Sequence, residues 1–167
     1  MNTVTFQGAT LHLEGTLPKV GDKAPGFVLT ANDLSEKTLA DYAGKPLVIA
    51  SVPSLDTPVC DLESKRFNEE AAKYDGKVQF LIVSCDLPFA QARWSEAANI
   101  NNLQTLSDYK TVDFGKNYGV LIKELRLLAR AVFVIDAAGV IAYEQLVPEI
   151  TNQPNFAAVL EAVKKLA

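Results

Sequence analysis

Three nearly continuous apolar runs place the strongest constraint on how this chain can fold. They are PLVIASV at 46–52, VQFLIVS at 78–84 and AVFVI at 131–135. An apolar run of strand length with little polar alternation predicts a strand that is buried on both faces. The first two runs are followed by segments of helical composition, so we predict an α/β protein whose central sheet contains parallel strands.

Shorter segments complete the order of elements. We predict helices over 59–74, 88–98, 112–118 and 154–166, and further strands over 27–30, 37–39, 103–106 and 140–147. Near the N-terminus, Thr3–Gln7 and Thr10–Glu14 flank Gly8-Ala9, which predicts a β-hairpin. This order predicts a thioredoxin-like arrangement, in which a mixed central sheet has helices on both faces.

Composition narrows the class of protein. The chain has 167 residues, of which 49% are hydrophobic and 22% charged, and this predicts a single folded domain over 1–167. With 16 basic and 20 acidic residues, the net charge of −4 argues against a nucleic-acid partner. The longest apolar run is far shorter than the roughly 20 residues that span a bilayer, and no hydrophobic leader opens the chain. We therefore expect a cytoplasmic protein with no membrane partner.

The chain has few side chains that bind metals or form disulfides. It contains two cysteines, Cys60 and Cys85, and one histidine, His12. Two cysteines are too few for a disulfide scaffold, and a structural zinc site usually needs four Cys or His ligands. We therefore expect no metal site. His12 lies in an alternating segment, and we interpret it as an ordinary strand residue.

Cys60 has the position that best suits reactive chemistry. It follows a buried strand and a loop with Pro53 and Pro58, and it falls in the first turn of the next predicted helix. Unpaired backbone N–H groups and the positive end of the helix dipole favour the thiolate there, which is the nucleophilic form. Thr57 can offer a hydroxyl above the sulfur and is also a candidate helix cap. The alternative is a buried structural cysteine, but Pro53 and Pro58 on either side of the loop and the position of Cys60 at the helix start favour the reactive interpretation.

Cys85 and Arg130 each have two interpretations. Cys85 ends a very apolar strand, so it is either a small hydrophobic residue or a redox partner of Cys60 at the same sheet edge. Arg130 precedes a buried strand, and an arginine among apolar residues is rarely buried without a partner. It either stabilises a neighbouring thiolate and polarises a bound oxidant, or it forms an ion pair with an acid such as Glu63 or Asp136.

The helix after the Pro53–Pro58 loop is predicted to be amphipathic. Its buried face is predicted from four apolar positions: Val59, Leu62, Phe67 and Ala71. The charged run from Glu63 to Glu70 predicts a solvated face with i,i+4 pairs. Glu63 also stands where a disulfide oxidoreductase with a C-x-x-C motif would have its second cysteine, which argues against that class.

The segment from Pro53 to Cys60, PSLDTPVC, matches the P-x-x-x-T-x-x-C signature of the peroxiredoxins. Further segments extend the match along nearly the whole chain: VGDKAP at 20–25, SCDLPFAQARW at 84–94, LSD at 106–108 and LARAVFVID at 128–136. Together with the N-terminal hairpin, they resemble the bacterial thiol peroxidase subfamily, the atypical two-cysteine peroxiredoxins.

The resemblance implies a thioredoxin-like peroxiredoxin fold, a homodimer, and reduction of hydrogen peroxide and alkyl hydroperoxides without a cofactor. Cys60 matches the peroxidatic cysteine, which becomes a sulfenic acid when it attacks the O–O bond. Thr57 and Arg130 match the positions that hold the thiolate and the peroxide oxygens, and Pro53 matches the one that shields the pocket from water. Thioredoxin is the reductant that the resemblance implies.

Ser95 departs from the subfamily pattern, which places a resolving cysteine directly after a pair such as Arg93-Trp94. A serine cannot form the intramolecular disulfide. Three explanations stay open: a one-cysteine enzyme, resolution by Cys85, or a serine introduced in place of cysteine to trap one redox state. The missing cysteine also leaves a second function open, a redox-sensing interaction protein whose oxidation changes partner binding.

Overall fold

The computed structural model describes residues 2–167, and within them eleven strands and four α-helices are present. The strands are β1 (Thr3–Phe6), β2 (Ala9–Glu14), β3 (Val28–Ala31), β4 (Glu36–Thr38), β5 (Leu47–Ser51), β6 (Gln79–Ser84), β7 (Gln104–Ser107), β8 (Leu121–Ile122), β9 (Leu127–Leu128), β10 (Ala131–Ile135) and β11 (Ile141–Leu146). The helices are α1 (Pro58–Ala72), α2 (Pro88–Ala97), α3 (Asp113–Asn117) and α4 (Phe156–Leu166), with a 3₁₀ helix at Leu39–Tyr42. Within these residues, no helix combines the length and the hydrophobicity that crossing a membrane requires.

Seven strands form the central sheet in the order β11-β10-β5-β6-β7-β3-β4. β5, β6 and β7 run parallel, and the outer strands on both sides pair antiparallel, so the sheet is mixed as predicted. Ser51, the last residue of β5, lies opposite Val83 of β6. Because the carboxyl ends of parallel strands meet at one edge, the segments after β5 and β6 start side by side.

Side chains of the central strands alternate between two hydrophobic cores. Val48 and Val132 pack on the face covered by α1, α2 and α4, whereas Ile49 and Phe133 pack on the opposite face with α3 and the second sheet. Burying each such side chain fully contributes about 1.5–3 kcal/mol relative to exposure. The strands therefore need no polar face, which explains their continuous apolar runs and confirms helices on both sides.

A second sheet, in the order β1-β2-β8-β9, was not predicted beyond its first hairpin. The hairpin of β1 and β2 is confirmed, with Thr3 opposite His12, and its turn is at Gln7 and Gly8, whose φ angles are 49° and 84°. Two successive positive φ angles suit the two-residue turns of tight hairpins. β8 and β9 have two residues each, which is too short for a periodic pattern to identify them.

The buried face of α1 differs from the predicted one. Leu62 is 63% exposed, whereas Glu63 and Ser64 are buried with Phe67 and Ala71. The inward stripe starts at Cys60 and continues at spacings of three and four residues, so it passes through 63, 64, 67 and 71 and leaves position 62 outside. The sequence analysis placed Leu62 on the buried face because the residue is apolar. The phase of the helix, and not the residue type, decides which side of α1 faces the sheet.

Candidate active site

Cys60 is the third residue of α1 and lies in its first turn, as the sequence predicted. Pro58 occupies the first position of the helix, where its fixed φ suits helix initiation and its missing N–H needs no partner. The Cys60 side chain is fully buried among the apolar side chains of one core. The break in the chain after β5 sets the start of α1, and the packing of α1 on the sheet buries Cys60.

Asp86 holds the loop between β5 and α1 in place. Its Oδ1 accepts a hydrogen bond of 2.7 Å from the Ser54 hydroxyl, and its Oδ2 accepts one of 2.8 Å from the Leu55 backbone N–H. The Ser84 hydroxyl donates to the same Oδ2 at 2.8 Å. Because Ser84 ends β6, this carboxylate ties the loop to the neighbouring parallel strand. Asp86 was not predicted as a site residue, although an acidic residue two positions after the end of a buried strand was a usable signal.

Arg130 makes both kinds of contact that its sequence position left open, one with the Cys60 sulfur and one with an acidic side chain. Its Nη2 donates to Cys60 Sγ at 3.2 Å, and its Nη1 donates to Glu63 Oε1 at 2.8 Å. Nε and Nη2 also donate to the backbone carbonyl of Ile150, at 3.0 and 2.8 Å. The guanidinium, 2% exposed, is therefore fixed on three sides. Asp136, the other candidate partner, instead accepts backbone hydrogen bonds within its own turn.

Glu63 corrects the prediction of a solvated face over Glu63–Glu70. Its side chain is 0% exposed, and its ion pair with Arg130 is buried on both sides. Burial raises the pKa of Glu63 from its ordinary 4.5 to about 7, against the opposing effect of the Arg130 charge and hydrogen bond. Among residues 2–167, its Oε2 finds no hydrogen-bond partner. One cation therefore faces two groups that can be anionic, the Cys60 thiol and the Glu63 carboxyl.

Thr57 is the cap residue of α1, but its hydroxyl does not cap the helix in the predicted way. Thr57 Oγ1 donates to the backbone carbonyl of Ser54 at 2.9 Å. That bond fixes the rotamer and leaves the oxygen lone pairs free to accept a hydrogen bond from a ligand. Pro53 and Thr57 both line the cavity that reaches Arg130.

This cavity has a volume of about 250 Å³ and an almost entirely apolar lining. Phe6 of the N-terminal hairpin, Leu125 of the β8–β9 turn, Leu127 of β9 and Ile150 contribute to its wall, with Arg130 as its cation. The second sheet therefore forms part of the site. A larger, more open groove of about 820 Å³ lies between α1 and the start of α4, and its lining is mainly charged and amide side chains.

Cys85 lies on the opposite face of the sheet from Cys60. It is half-buried and packs against the other hydrophobic core, and both cysteines are free thiols. Burial, followed by the charges of Asp108 and Asp86, raises the pKa of Cys85 from its ordinary 9 to about 12. This environment disfavours the thiolate that a resolving cysteine needs.

Ser95 lies in α2, where its half-buried hydroxyl is 3.5 Å from Thr105 Oγ1 of β7. The residue before it, Trp94, donates from Nε1 to Asp61 Oδ1 of α1 at 2.8 Å. The helix that carries the predicted resolving position is thus attached directly to the helix that carries Cys60. The predicted site residues Pro53, Thr57, Cys60 and Arg130 lie together, whereas Ser95 packs against a strand.

His12 is an exposed residue of β2, in keeping with its interpretation as a strand residue. Its Nδ1 lies 2.7 Å from Glu124 Oε2, and its backbone N–H donates to the same carboxylate. These bonds attach the β8–β9 turn to the N-terminal hairpin. Over the described part of the chain, no group of three or more His, Cys, Asp or Glu side chains is arranged to hold a metal ion.

Comparison with known proteins places the chain in a family. A family model described as Redoxin matches residues 19–160. The thiol peroxidase of Staphylococcus aureus is 51% identical over 166 residues, which cover 99% of this chain and 100% of that protein. The chain belongs to the thiol peroxidases of the Redoxin family. A second relative of this redoxin, the thiol peroxidase of Bacillus subtilis, is 51% identical with 99% of both chains covered.

The fold agrees with a solved structure of the same kind. A peroxiredoxin-like protein from Aquifex aeolicus superposes with a TM-score of 0.93 at 48% identity, covering 100% of this chain and 98% of that one. The predicted peroxiredoxin-like thioredoxin fold is thereby confirmed, as is the predicted enzyme class of this redoxin, a thiol peroxidase.

Proposed function

We propose that the Cys60 thiolate reduces hydrogen peroxide and alkyl hydroperoxides by attacking the O–O bond and becoming a sulfenic acid. The observation that carries this proposal is the 3.2 Å bond from Arg130 Nη2 to Cys60 Sγ, made by a guanidinium that also lines the apolar cavity. A fixed cation beside a buried sulfur favours the thiolate and can hold the peroxide next to it.

The proposed reaction puts negative charge where the site has fixed donors. As the S–O bond forms and the O–O bond breaks, charge moves from sulfur to the leaving oxygen, which must take a proton. Arg130 is held by Ile150 O and Glu63, so it needs little reorganisation to stabilise that charge. Such preorganised donors contribute roughly 3 kcal/mol each in comparable sites. Thr57, with its hydrogen donated to Ser54 O, can accept from the peroxide O–H.

The apolar wall of the cavity supports alkyl hydroperoxides as substrates beside hydrogen peroxide. Phe6, Leu125 and Leu127 offer apolar surface next to Arg130, where an alkyl substituent loses contact with water. Pro53 lies in the same lining and has no N–H to hold water near the sulfur. Burial of Cys60 also protects the thiolate from unselective oxidation.

Treating the reduced protein with one equivalent of peroxide and weighing its peptides tests this proposal. We expect one added oxygen on the Cys60 peptide and none on the Cys85 peptide, since burial and nearby carboxylates disfavour the Cys85 thiolate. The Cys85→Ser variant is the matched control and should oxidise at the same rate. Oxidation at Cys85 with an unmodified Cys60 would overturn the assignment.

For recycling, we propose that thioredoxin reduces the Cys60 sulfenic acid directly, giving the thiol, water and oxidised thioredoxin. Ser95 has no sulfur to resolve the sulfenic acid, and Cys85 lies on the other face of the sheet. The redox-sensing function is the second candidate, and Ser95 is the observation that favours it. Sustained peroxide consumption with thioredoxin and its reductase supports the enzyme, whereas a single stoichiometric burst supports the sensor.

The Ser95→Cys variant sharpens that test. If α2 and α1 separate at the Trp94–Asp61 contact when Cys60 is oxidised, the introduced thiol can form a disulfide with Cys60. We expect faster thioredoxin-dependent turnover than in the parent protein. A variant that oxidises at Cys60 but gains neither the disulfide nor turnover would show that position 95 lies out of reach.

We further propose that the chain folds as one domain and acts as a cytoplasmic homodimer. Exposed apolar side chains on α1 and at the start of α2 support self-association, since Leu62, Leu87 and Phe89 are 63%, 53% and 69% exposed. Sedimentation of the purified protein tests the dimer. We expect Phe89→Glu to shift it towards the monomer, while a wild-type protein that sediments as a monomer would contradict the proposal.

A further inference from the structure

The buried cluster of Cys60, Glu63 and Arg130 contains two groups that can be anions and one cation. All three side chains are at most 2% exposed. The other partner of the guanidinium is the neutral carbonyl of Ile150, which adds no charge. If the thiol and the carboxyl were both ionised, the cluster would hold an uncompensated negative charge away from water, which is strongly unfavourable.

Glu63 is the group whose surroundings favour protonation. Only its Oε1 is bound, by Arg130, and within residues 2–167 its buried Oε2 has no donor to stabilise a carboxylate. Burial raises the pKa of Glu63 to about 7, so the protonated form is accessible near neutrality.

Charged groups on the neighbouring elements do not compensate for Glu63. On α1, Asp61 is paired with Lys65 at 2.9 Å. In the loop after β11, the carboxylate of Glu149 faces Thr5, Gly8 and Thr151. The charged side chains of α4, Glu161, Lys164 and Lys165, are exposed. The charge state of Glu63 therefore depends on Arg130 and on the charge of the Cys60 sulfur, which is bound to the same guanidinium.

We propose that Glu63 carries the proton that balances the reaction: it is protonated while Cys60 is a thiolate, and it ionises when Cys60 becomes a sulfenic acid. The inference rests on the proposed peroxidase function of Cys60. In the balanced step, Cys60–S⁻, ROOH and Glu63–COOH give Cys60–SOH, ROH and Glu63–COO⁻. The O–O bond breaks and the S–O bond forms, sulfur is oxidised and the peroxide reduced. The leaving oxygen takes a proton at the cavity, and Glu63 releases one.

The exchange keeps one anion beside Arg130 before and after the reaction. In the reduced state the thiolate is the partner of the guanidinium, and in the oxidised state the Glu63 carboxylate takes over that role. Glu63 is thus a positioning residue that acts through Arg130, and the oxidation step takes up no net proton from solution while Glu63 starts protonated.

Proton uptake during a single oxidation tests the inference. The Cys85→Ser protein, in which Cys60 is the only thiol, is mixed with one equivalent of hydrogen peroxide in weakly buffered solution with a pH indicator. Ultraviolet absorbance of the thiolate gives the ionised fraction of Cys60. We expect uptake per thiolate near zero at about pH 6 and near one proton at about pH 8, because Glu63 ionises between them. With E63Q added to the Cys85→Ser protein, we expect uptake of one proton per thiolate at every pH. The matched control adds Glu69→Gln, an exposed acid of the same helix, and should leave the uptake as in the Cys85→Ser protein.

Two results would overturn the inference. The first is equal uptake of one proton by the parent and by E63Q at every pH while Cys60 oxidises fully. The second comes from difference infrared spectra of the parent, which need no Glu63 variant: oxidation must remove a protonated carboxyl band, and a band that persists overturns the inference. The Asp108→Asn variant distinguishes the two candidate bands, since within residues 2–167 Asp108 is the other buried carboxyl with a raised pKa, and a band that remains in the variant does not come from Asp108. Failure of Cys60 to oxidise would instead overturn the proposed function, and this inference with it.

Discussion

Cys60 and Cys85 follow neighbouring parallel strands, yet their surroundings favour opposite chemistry. Cys60 receives a hydrogen bond from the Arg130 guanidinium on one face of the sheet. Cys85 packs on the other face, where burial and the carboxylates of Asp108 and Asp86 raise its pKa to about 12. We therefore propose that Cys60, beside a buried cation, is the nucleophile, and that Cys85, beside the buried Asp108 and the half-buried Asp86 with no such cation from residues 2–167 bound to its sulfur, is the less reactive thiol.

Each cysteine also has a buried carboxyl near it, and the two carboxyls are held differently. Glu63 is bound by a cation, whereas Asp108 accepts backbone hydrogen bonds from Phe114 at 3.1 Å and Gly115 at 2.8 Å. Burial raises the pKa of both, to about 7 and about 6 respectively. Near Cys60 the carboxyl shares its cation with the sulfur, whereas near Cys85 the carboxyl adds only repulsion.

Serine substitutions at the two cysteines test the comparison most directly. We expect Cys60→Ser to lower the rate of peroxide consumption in a single turnover more than about 1,000-fold, because the nucleophile is removed. Cys85→Ser should retain the parent rate. A Cys85→Ser protein as inactive as Cys60→Ser, with an unchanged circular dichroism spectrum, would contradict the difference between the two sites.

Arg130→Lys tests whether the fixed cation creates that difference. A lysine keeps the charge but cannot bind Cys60, Glu63 and Ile150 with one planar fork, so we expect a rate of Cys60 oxidation lower by roughly 100-fold. Stopped-flow measurement of sulfenic acid formation gives the rate. Arg93→Lys, at an exposed position of α2, is the matched control. A rate unaffected by Arg130→Lys would show that charge alone suffices.

The pH dependence of stability tests the burial of Asp108. Its pKa is about 6 in the folded protein and near 3.8 when unfolded, so the folded state binds more protons between these values. The free energy of unfolding should therefore fall as the pH rises from about 4 to about 6, by on the order of 2 kcal/mol from this group. Urea titrations across this range should show a smaller fall in Asp108→Asn. An identical fall in both proteins would contradict the raised pKa, since Glu63 contributes equally to each.

The same variant should modestly increase the reactivity of Cys85. Asp108 is ionised at alkaline pH, so removing its charge lowers the pKa of Cys85, while burial, the larger cause, keeps it above 9. In a Cys60→Ser background, we expect up to about tenfold faster alkylation by iodoacetamide at a fixed alkaline pH. The exposed Asp75→Asn substitution should leave the rate unchanged. No acceleration in Asp108→Asn would mean that access, and not charge, limits this thiol.

Much of the fold could be predicted from the sequence because its elements have strong local patterns. The apolar runs of β5, β6 and β10 and the turn residues between elements identify the central sheet and its helices. β8 and β9 could not be predicted, since two-residue strands have no period and depend on β2 for their pairing. The exposure of Leu62 was wrongly predicted because the phase of α1 is set by packing on the sheet.

The residues of the candidate site also fall into two groups, those that the sequence predicted and those that only the structure identified. Cys60, Thr57 and Pro53 lie within eight residues of each other, and their local order indicated their proximity. The sequence placed Glu63 in a charged run with a solvated face and also offered it as an ion-pair partner of Arg130, and the buried pair in the structure decides between the two. Ile150 contributes a backbone carbonyl, which any residue type supplies, so no sequence signal could identify it.

By itself, the sequence determined that a cysteine follows a buried strand and starts a helix, and that no cysteine stands at position 95. Only the tertiary structure decided which charges meet the sulfur. Arg130 reaches Cys60 across 70 residues, and the two cysteines fall on opposite faces of one sheet. The physical reason is that charge energies depend on distance and burial, which strand pairing and helix phase fix in three dimensions, whereas spacing along the chain fixes only local geometry.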